Sequence, residues 1–178
     1  SQKAILLLGA ASTFFFSGRL IYSVLNNGIV SVQVGQWDAP FGITLVADLL
    51  SAGIVCLAAF TTFMVAIYSL HTMDPHRKSF GFFPVLLFLL FGVIGALLAG
   101  DIFNLYVWFE IIMVSTFVLL TLGGTNEQLE GTIKYLVINF LASSLLLAGV
   151  GLLYGLTGTL NMADLALKLP QIDQPALG

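Results

Sequence analysis

Glu110 closes the stretch DIFNLYVWFE, and the runs on either side of it, FFPVLLFLLFGVIGALLAG and IIMVSTFVLLTLGG, carry no charge. Placing a charged side chain near the centre of a bilayer costs about 3 kcal/mol. Such a glutamate is either tied structurally to neighbouring helices or used to exchange protons. Burial disfavours the charged form of a carboxylate and a nearby cation favours it, so a group held between the two changes protonation when its partner moves. We expect Glu110 to be a proton carrier. In a helix over 102–122 it lies about 12 Å along a length of about 30 Å.

Lys134 stands just before YLVINFLASSLLLAG, at the expected inner edge of the last span. It is either a snorkelling interfacial lysine or a residue of the proton path that sets the local potential, and both readings stay open. Glu110 would lie about 18 Å from the inner end of its own helix, so a direct pair with Lys134 is not expected. Asn139 and Ser143 share a helical face, with Ser144 beside them; bridging helices is the stronger reading, holding water the weaker. Asp101 is expected to cap the fourth long helix, ahead of any role in admitting ions. His71, Asp74 and His76 form a short polar cluster in which solvation, not metal binding, is the ordinary fate. The chain has no glycine-rich phosphate motif, cysteine pair or serine–histidine constellation. We expect no cofactor and no enzyme chemistry.

The elements that must position these residues follow from composition. The 178 residues are 58% hydrophobic and 8% charged, against about 25% charged in soluble domains. With a mean hydropathy of +1.03, the chain is an all-α integral membrane protein. A net charge of −3 gives no reason to expect nucleic acid, and the single cysteine, Cys56, cannot form an intrachain disulfide. The chain opens at Ser1 with an apolar run that lacks a convincing cleavage site, so the run reads as a true span and the missing Met as processing or a fragment.

A span needs about 20 apolar residues. Five segments qualify, at 4–25, 46–70, 80–99, 102–122 and 135–154, followed by an extracytoplasmic tail over 155–178. Together they are expected to form a single membrane domain over 1–178. The connection 26–42 alternates Val30, Val32 and Val34 with polar residues before the turn Asp38-Ala39-Pro40, which predicts an extended segment or β-hairpin outside the membrane. Gly92, Ala96 and Gly100 recur every four residues and predict close helix packing. Lys3, Arg77, Lys78 and Lys134 fall on one face, while Lys168, with Arg19 reaching outward, belongs to the other. The positive-inside rule then puts the N-terminus in the cytoplasm.

The stretches WDAPFGITLVADLLS, GDIFNLYVWFEIIMVSTFVLLTLGG, EGTIKYLVINFLASS and YGLTGTLNMADL closely resemble the antiporter-like subunits of Mrp-type Na+/H+ antiporters, most of all the D-type subunit. The superfamily also holds the pumping subunits of complex I and of membrane-bound hydrogenases. The resemblance runs from about residue 37 to 165, and the glutamate motif with its flanking GD and FN, like TGTLNMADL, is fairly specific. It implies a larger fold of about fourteen helices with inverted repeats and broken helices, of which this chain covers an early third. It also implies that Glu110 is the family's essential membrane carboxylate, paired with a lysine on a later broken helix. Lys134 matches a lysine common at the start of the next helix. The chain ends at PQIDQPALG, before that broken helix, so it is a fragment or the rest lies on another polypeptide.

The leading functional reading is therefore a proton-translocating subunit of a multi-subunit cation/proton antiporter. Its expected partners are other membrane subunits, protons, Na+ or another monovalent cation, and the lipid of a prokaryotic cell membrane. The first alternative is a pumping subunit of an NADH dehydrogenase or hydrogenase. The second is a membrane scaffold in which Glu110 is structural.

Overall fold

The computed structural model describes residues 2–37 and 42–171. The expected turn at Asp38-Ala39-Pro40 and the last seven residues lie outside them. The first helix, α1, spans Gln2–Asn27 and stops at Gly28, whose positive φ of 75° ends the helical path. A two-stranded antiparallel hairpin follows, β1 (Val30–Gln33) with β2 (Thr44–Ala47), in the register Val30↔Ala47 to Gln33↔Thr44. The predicted hairpin is present, and its second strand takes residues 46 and 47 that the hydropathy reading assigned to the second span. Asp48 explains the boundary. Its carboxylate accepts from the Ser51 N–H at 2.7 Å while the Ser51 hydroxyl bonds the Asp48 N–H, a capping box that starts α2 (Leu49–Thr72).

A short helix, α3 (Pro75–Ser79), turns the chain. Within it the Lys78 ammonium donates to the Leu70 carbonyl at 2.9 Å, where a cation satisfies the carbonyl-rich end of α2. The next helix, α4, covers only Phe82–Leu97, 16 residues, or about 24 Å. This is shorter than the 80–99 span read from hydropathy. Gly81, at φ 91°, precedes the helix, and beyond Leu97 the backbone leaves it to pair with β2. Val46 N–H donates to Leu98 O and Gly100 N–H to Thr44 O, each at 2.8 Å.

The fourth long helix, α5 (Ile102–Thr121), starts at Asp101, whose carboxylate accepts from Asn104 N–H at 2.6 Å. The next, α6, runs from Asn126 to Thr157, nine residues earlier than the apolar run begins. Thr125 and Gln128 form a capping box there, and a hydropathy window is blind to the polar turns that such a cap initiates. The described part of the predicted tail, up to residue 171, carries further structure. After Gly158 the chain pairs with the start of α5 and forms α7 (Met162–Lys168).

Four of these helices are long and apolar enough to cross a membrane, and α4 is a shorter apolar helix beside them. The protein is a multi-pass membrane protein. Lipid offers no hydrophobic drive between helices, so contact depends on shape. Ala10 and Ala66 are fully buried with Leu6, Phe83 and Leu86 where α1, α2 and α4 meet near α3. At the hairpin end Val24, Ala47 and Ala52 form a second cluster.

The small-residue ridge of α4 is used differently from the expected four-residue repeat. Gly95 receives the Trp108 indole, with which a Cβ would collide, and Gly92 admits Ile111 and Ile112. Gly100 lies past the helix end, where a Cβ would stand 2.8 Å from the Thr44 carbonyl oxygen. It admits the hairpin instead of α5.

Candidate functional site

Rotation about α5 separates two sets of side chains. Trp108, with Asp101, Asn104 and Ser115 at helical spacing on the same face, turns toward α4; Asp101, Asn104 and Ser115 are buried. Glu110, two residues beyond Trp108 and so about 200° away around the axis, turns toward α6. There it lines a pocket of about 230 Å³ with Phe109, Tyr135, Asn139 and Ser143. The structure thus brings together three residues chosen from the sequence, Glu110, Asn139 and Ser143, from two different helices.

The carboxylate is half-buried, and its Oε1 atom is enclosed without a hydrogen-bond partner among the described residues. The phenol of Tyr106, one turn earlier on α5, is within interaction range of it. Asn139 points its amide N–H back to the Tyr135 carbonyl at 2.8 Å, and Ser143 donates to Phe140 O at 3.2 Å. Both polar side chains that line the pocket thus donate within α6. Tyr135 and Tyr106 were not singled out from the sequence. The available signal was their spacing of four residues from Asn139 and from Glu110.

Lys134 does not line this pocket. It forms an exposed ion pair with Glu130, one turn away on α6. Because α6 starts at Asn126, Lys134 is its ninth residue, not a residue at the helix edge. It lies about 12 Å along the helix, and Glu110 about 16 Å from the same end of α5. The two differ in height by about one turn, far less than the sequence reading allowed.

Asp101 caps α5, and its second oxygen is buried without a partner among the described residues. Its backbone pairs with Asn161. Around this bridge Ile102 N–H donates to Leu160 O at 3.0 Å and Met162 N–H to Gly100 O at 2.9 Å. Asn161 accepts from the Ala163 and Asp164 amides and donates to Thr44 Oγ1 at 3.1 Å, which in turn bonds Gln33. The GD and TGTLNMADL motifs therefore meet as one backbone-paired knot under the hairpin. His71, in the last turn of α2, and Asp74, just after that helix, are exposed at the far end of the bundle.

A model of the NADH:quinone oxidoreductase/Mrp antiporter transmembrane family matches residues 99–176, which include Glu110, Lys134 and α6. The D-type Na+/H+ antiporter subunit of Alkalihalophilus pseudofirmus is 42% identical over 173 residues, 97% of this chain and 35% of the relative. The chain belongs to this antiporter-like family. The D-type Na+/H+ antiporter subunit of Bacillus subtilis is likewise 42% identical, over 90% of the chain and 33% of the relative. The chain spans about a third of the length of the curated relatives it matches.

Solved structures agree with the family assignment. The Mrp complex from Dietzia sp. superposes with a TM-score of 0.80 at 27% identity, covering 90% of this chain and 30% of that one. A membrane-bound sulfane sulfur reductase, an archaeal respiratory membrane complex, superposes at 0.89 with 32% identity over 98% of this chain and 36% of that one. In this chain the glutamate motif forms the α5 side of the pocket, and TGTLNMADL forms the knot at the start of α5.

Proposed function

We propose that this chain forms part of a proton-translocating subunit in a multi-subunit cation/proton antiporter, with Glu110 as the proton carrier and a transporter's role, not an enzyme's. The observation that carries the reading is the Glu110 carboxylate itself. It sits between two apolar helices, has one enclosed oxygen without a partner among the described residues, and opens on a polar-lined pocket. A permanently ionised carboxylate in that position is costly; one that picks up and releases a proton is not confined to the charged form. Lys134, about one turn lower, shapes the potential that the carboxylate experiences. Other membrane subunits complete the path, and Na+ or another monovalent cation is the exchanged ion.

The test is pH-dependent transport in everted membrane vesicles, with assembly checked on native gels. Glu110→Gln and Glu110→Ala assemble normally and lose cation/proton exchange. Glu110→Asp, one methylene shorter, retains part of the activity with a shifted pH profile. Normal exchange in a well-assembled Glu110→Gln protein leaves a structural glutamate and sinks the reading.

A second reading rests on the likeness to the sulfane sulfur reductase. In it the same carboxylate works in a redox-driven pump, and the energy comes from electron transfer on other subunits. Mass spectrometry of co-purifying proteins separates the two. Soluble iron–sulfur or flavin subunits favour the redox pump, and small membrane subunits alone favour the antiporter.

A further inference from the structure

We propose that the groove beside Arg19, at the hairpin end of α1, binds an anionic phospholipid whose phosphate is held by Arg19 and Tyr22. Arg19 lies within the apolar span of α1, about 12 Å from the helix's C-terminal end, and its side chain is exposed. No carboxylate among the described residues pairs with it. A guanidinium stays charged at any biological pH, and a counter-anion lowers the cost of that charge within an apolar span. The groove next to it has a volume of about 580 Å³ and is lined by Phe14, Phe15, Gly18, Tyr22 and Cys56.

The groove is an open, mostly apolar depression with one cation beside it, and at about 580 Å³ it can take part of one lipid. Its deep end is held by Phe14, which packs on Phe60 and Phe63 of α2 with ring centroids 5.5 and 6.3 Å apart. Gly18 leaves its floor open, since a Cβ there would meet nothing within 4 Å. Phe15 and Tyr22 stand exposed along α1 as its rim. From Phe14 to Tyr22 the helix rises about 12 Å, close to one leaflet of about 15 Å. Along α1, Arg19 and Tyr22 stand nearer the hairpin end than Phe14 and Phe15 do. A carboxylate from a neighbouring protein would neutralise Arg19 and leave the apolar groove empty, whereas a phospholipid fills both. An anionic headgroup is favoured because a zwitterionic one brings its own cation to the same phosphate.

The test uses the protein purified with its partner subunits in mild detergent and exchanged into equimolar phosphatidylglycerol and phosphatidylcholine vesicles. Native mass spectrometry then counts the retained lipids. The wild type is expected to keep one phosphatidylglycerol per copy. Arg19→Gln should lower that occupancy at least tenfold, and Arg19→Lys should keep part of it. Gly18→Leu retains the charge and fills the groove, and it should also expel the lipid. Undiminished phosphatidylglycerol in both Arg19→Gln and Gly18→Leu overturns the proposal. So does loss of a neighbouring subunit from Arg19→Gln with the lipid unchanged, which would make Arg19 a protein contact. Wild-type protein that carries no phosphatidylglycerol overturns it as well.

Discussion

At the scale of single residues, Glu110 and Lys134 are both ionisable side chains on largely apolar helices, yet their surroundings differ. Glu110 has an enclosed oxygen, whereas Lys134 shares an exposed ion pair with Glu130. Glu130→Gln removes this pair without touching the Glu110 pocket and should leave assembly unchanged. On the proposed function, Lys134→Ala lowers transport without abolishing it, and Lys134→Arg stays near wild type, both read in everted vesicles. Total loss in a well-assembled Lys134→Arg protein would show that the lysine must release its own proton. Asp164 supplies a pH-dependent residue outside the spans. Its carboxyl is held below the usual range first by the hydrogen bond with Lys168 and then by Thr159. With the folded value depressed, its stabilising effect is complete above the unfolded carboxylate value of about 4. The effect is lost as pH falls through the lower folded value. The protection of α7 amides, corrected for their intrinsic exchange rate, should therefore fall as the pH drops below about 4, and Asp164→Asn should remove that acid-dependent change.

At the scale of elements, two contacts fix where α5 sits. Trp108 fills the gap over Gly95, and the knot of residues 98–102, 160–162 and the hairpin anchors the start of the helix. Gly95→Ala drives a methyl group into the indole and should cost about 1–3 kcal/mol, as overpacking does. The check is Trp108 fluorescence in a Trp37→Phe background, where a shifted emission reports the displaced ring; an unchanged spectrum and melting point would mean the helices part without strain. Asn161→Ala removes the cap of α7 and the bond to Thr44. Losing a cap costs about 1 kcal/mol, and exposing the pairing partners of β2 adds to it. Hydrogen exchange should rise in α7 and in 44–47 together. A rise confined to α7 would show that the knot does not couple the two.

At the scale of the whole molecule, connectivity puts α3 and the α5–α6 turn at one end of the bundle and the hairpin and α7 at the other. Lys3, Arg77 and Lys78 gather at the α3 end, so that end is expected in the cytoplasm. In a Cys56→Ser background, a cysteine at Asn126 should react only with reagent on the cytoplasmic side. One at Ser31 should react only from outside; both positions are exposed. The opposite labelling pattern would reverse the orientation, and with it the leaflet that feeds the Arg19 groove.

The membrane class, the approximate spans of α1, α2 and α5, the hairpin, the Asp101 cap and the isolation of Glu110 were all legible in the residues. Each depends on local properties: transfer of side chains from water, the alternation of a strand, or a carboxylate at a helix start. Only the tertiary structure decided that α4 ends at Leu97, because strand pairing with the hairpin draws residues 98–100 out of the helix. Only it placed Lys134 within α6, because a capping box starts that helix in polar sequence. The meeting of Glu110 with Asn139 and Ser143 likewise depends on the rotation of α5 against α6. That rotation is set by Trp108 seated on Gly95, a contact between residues whose separate properties carry no mark of it.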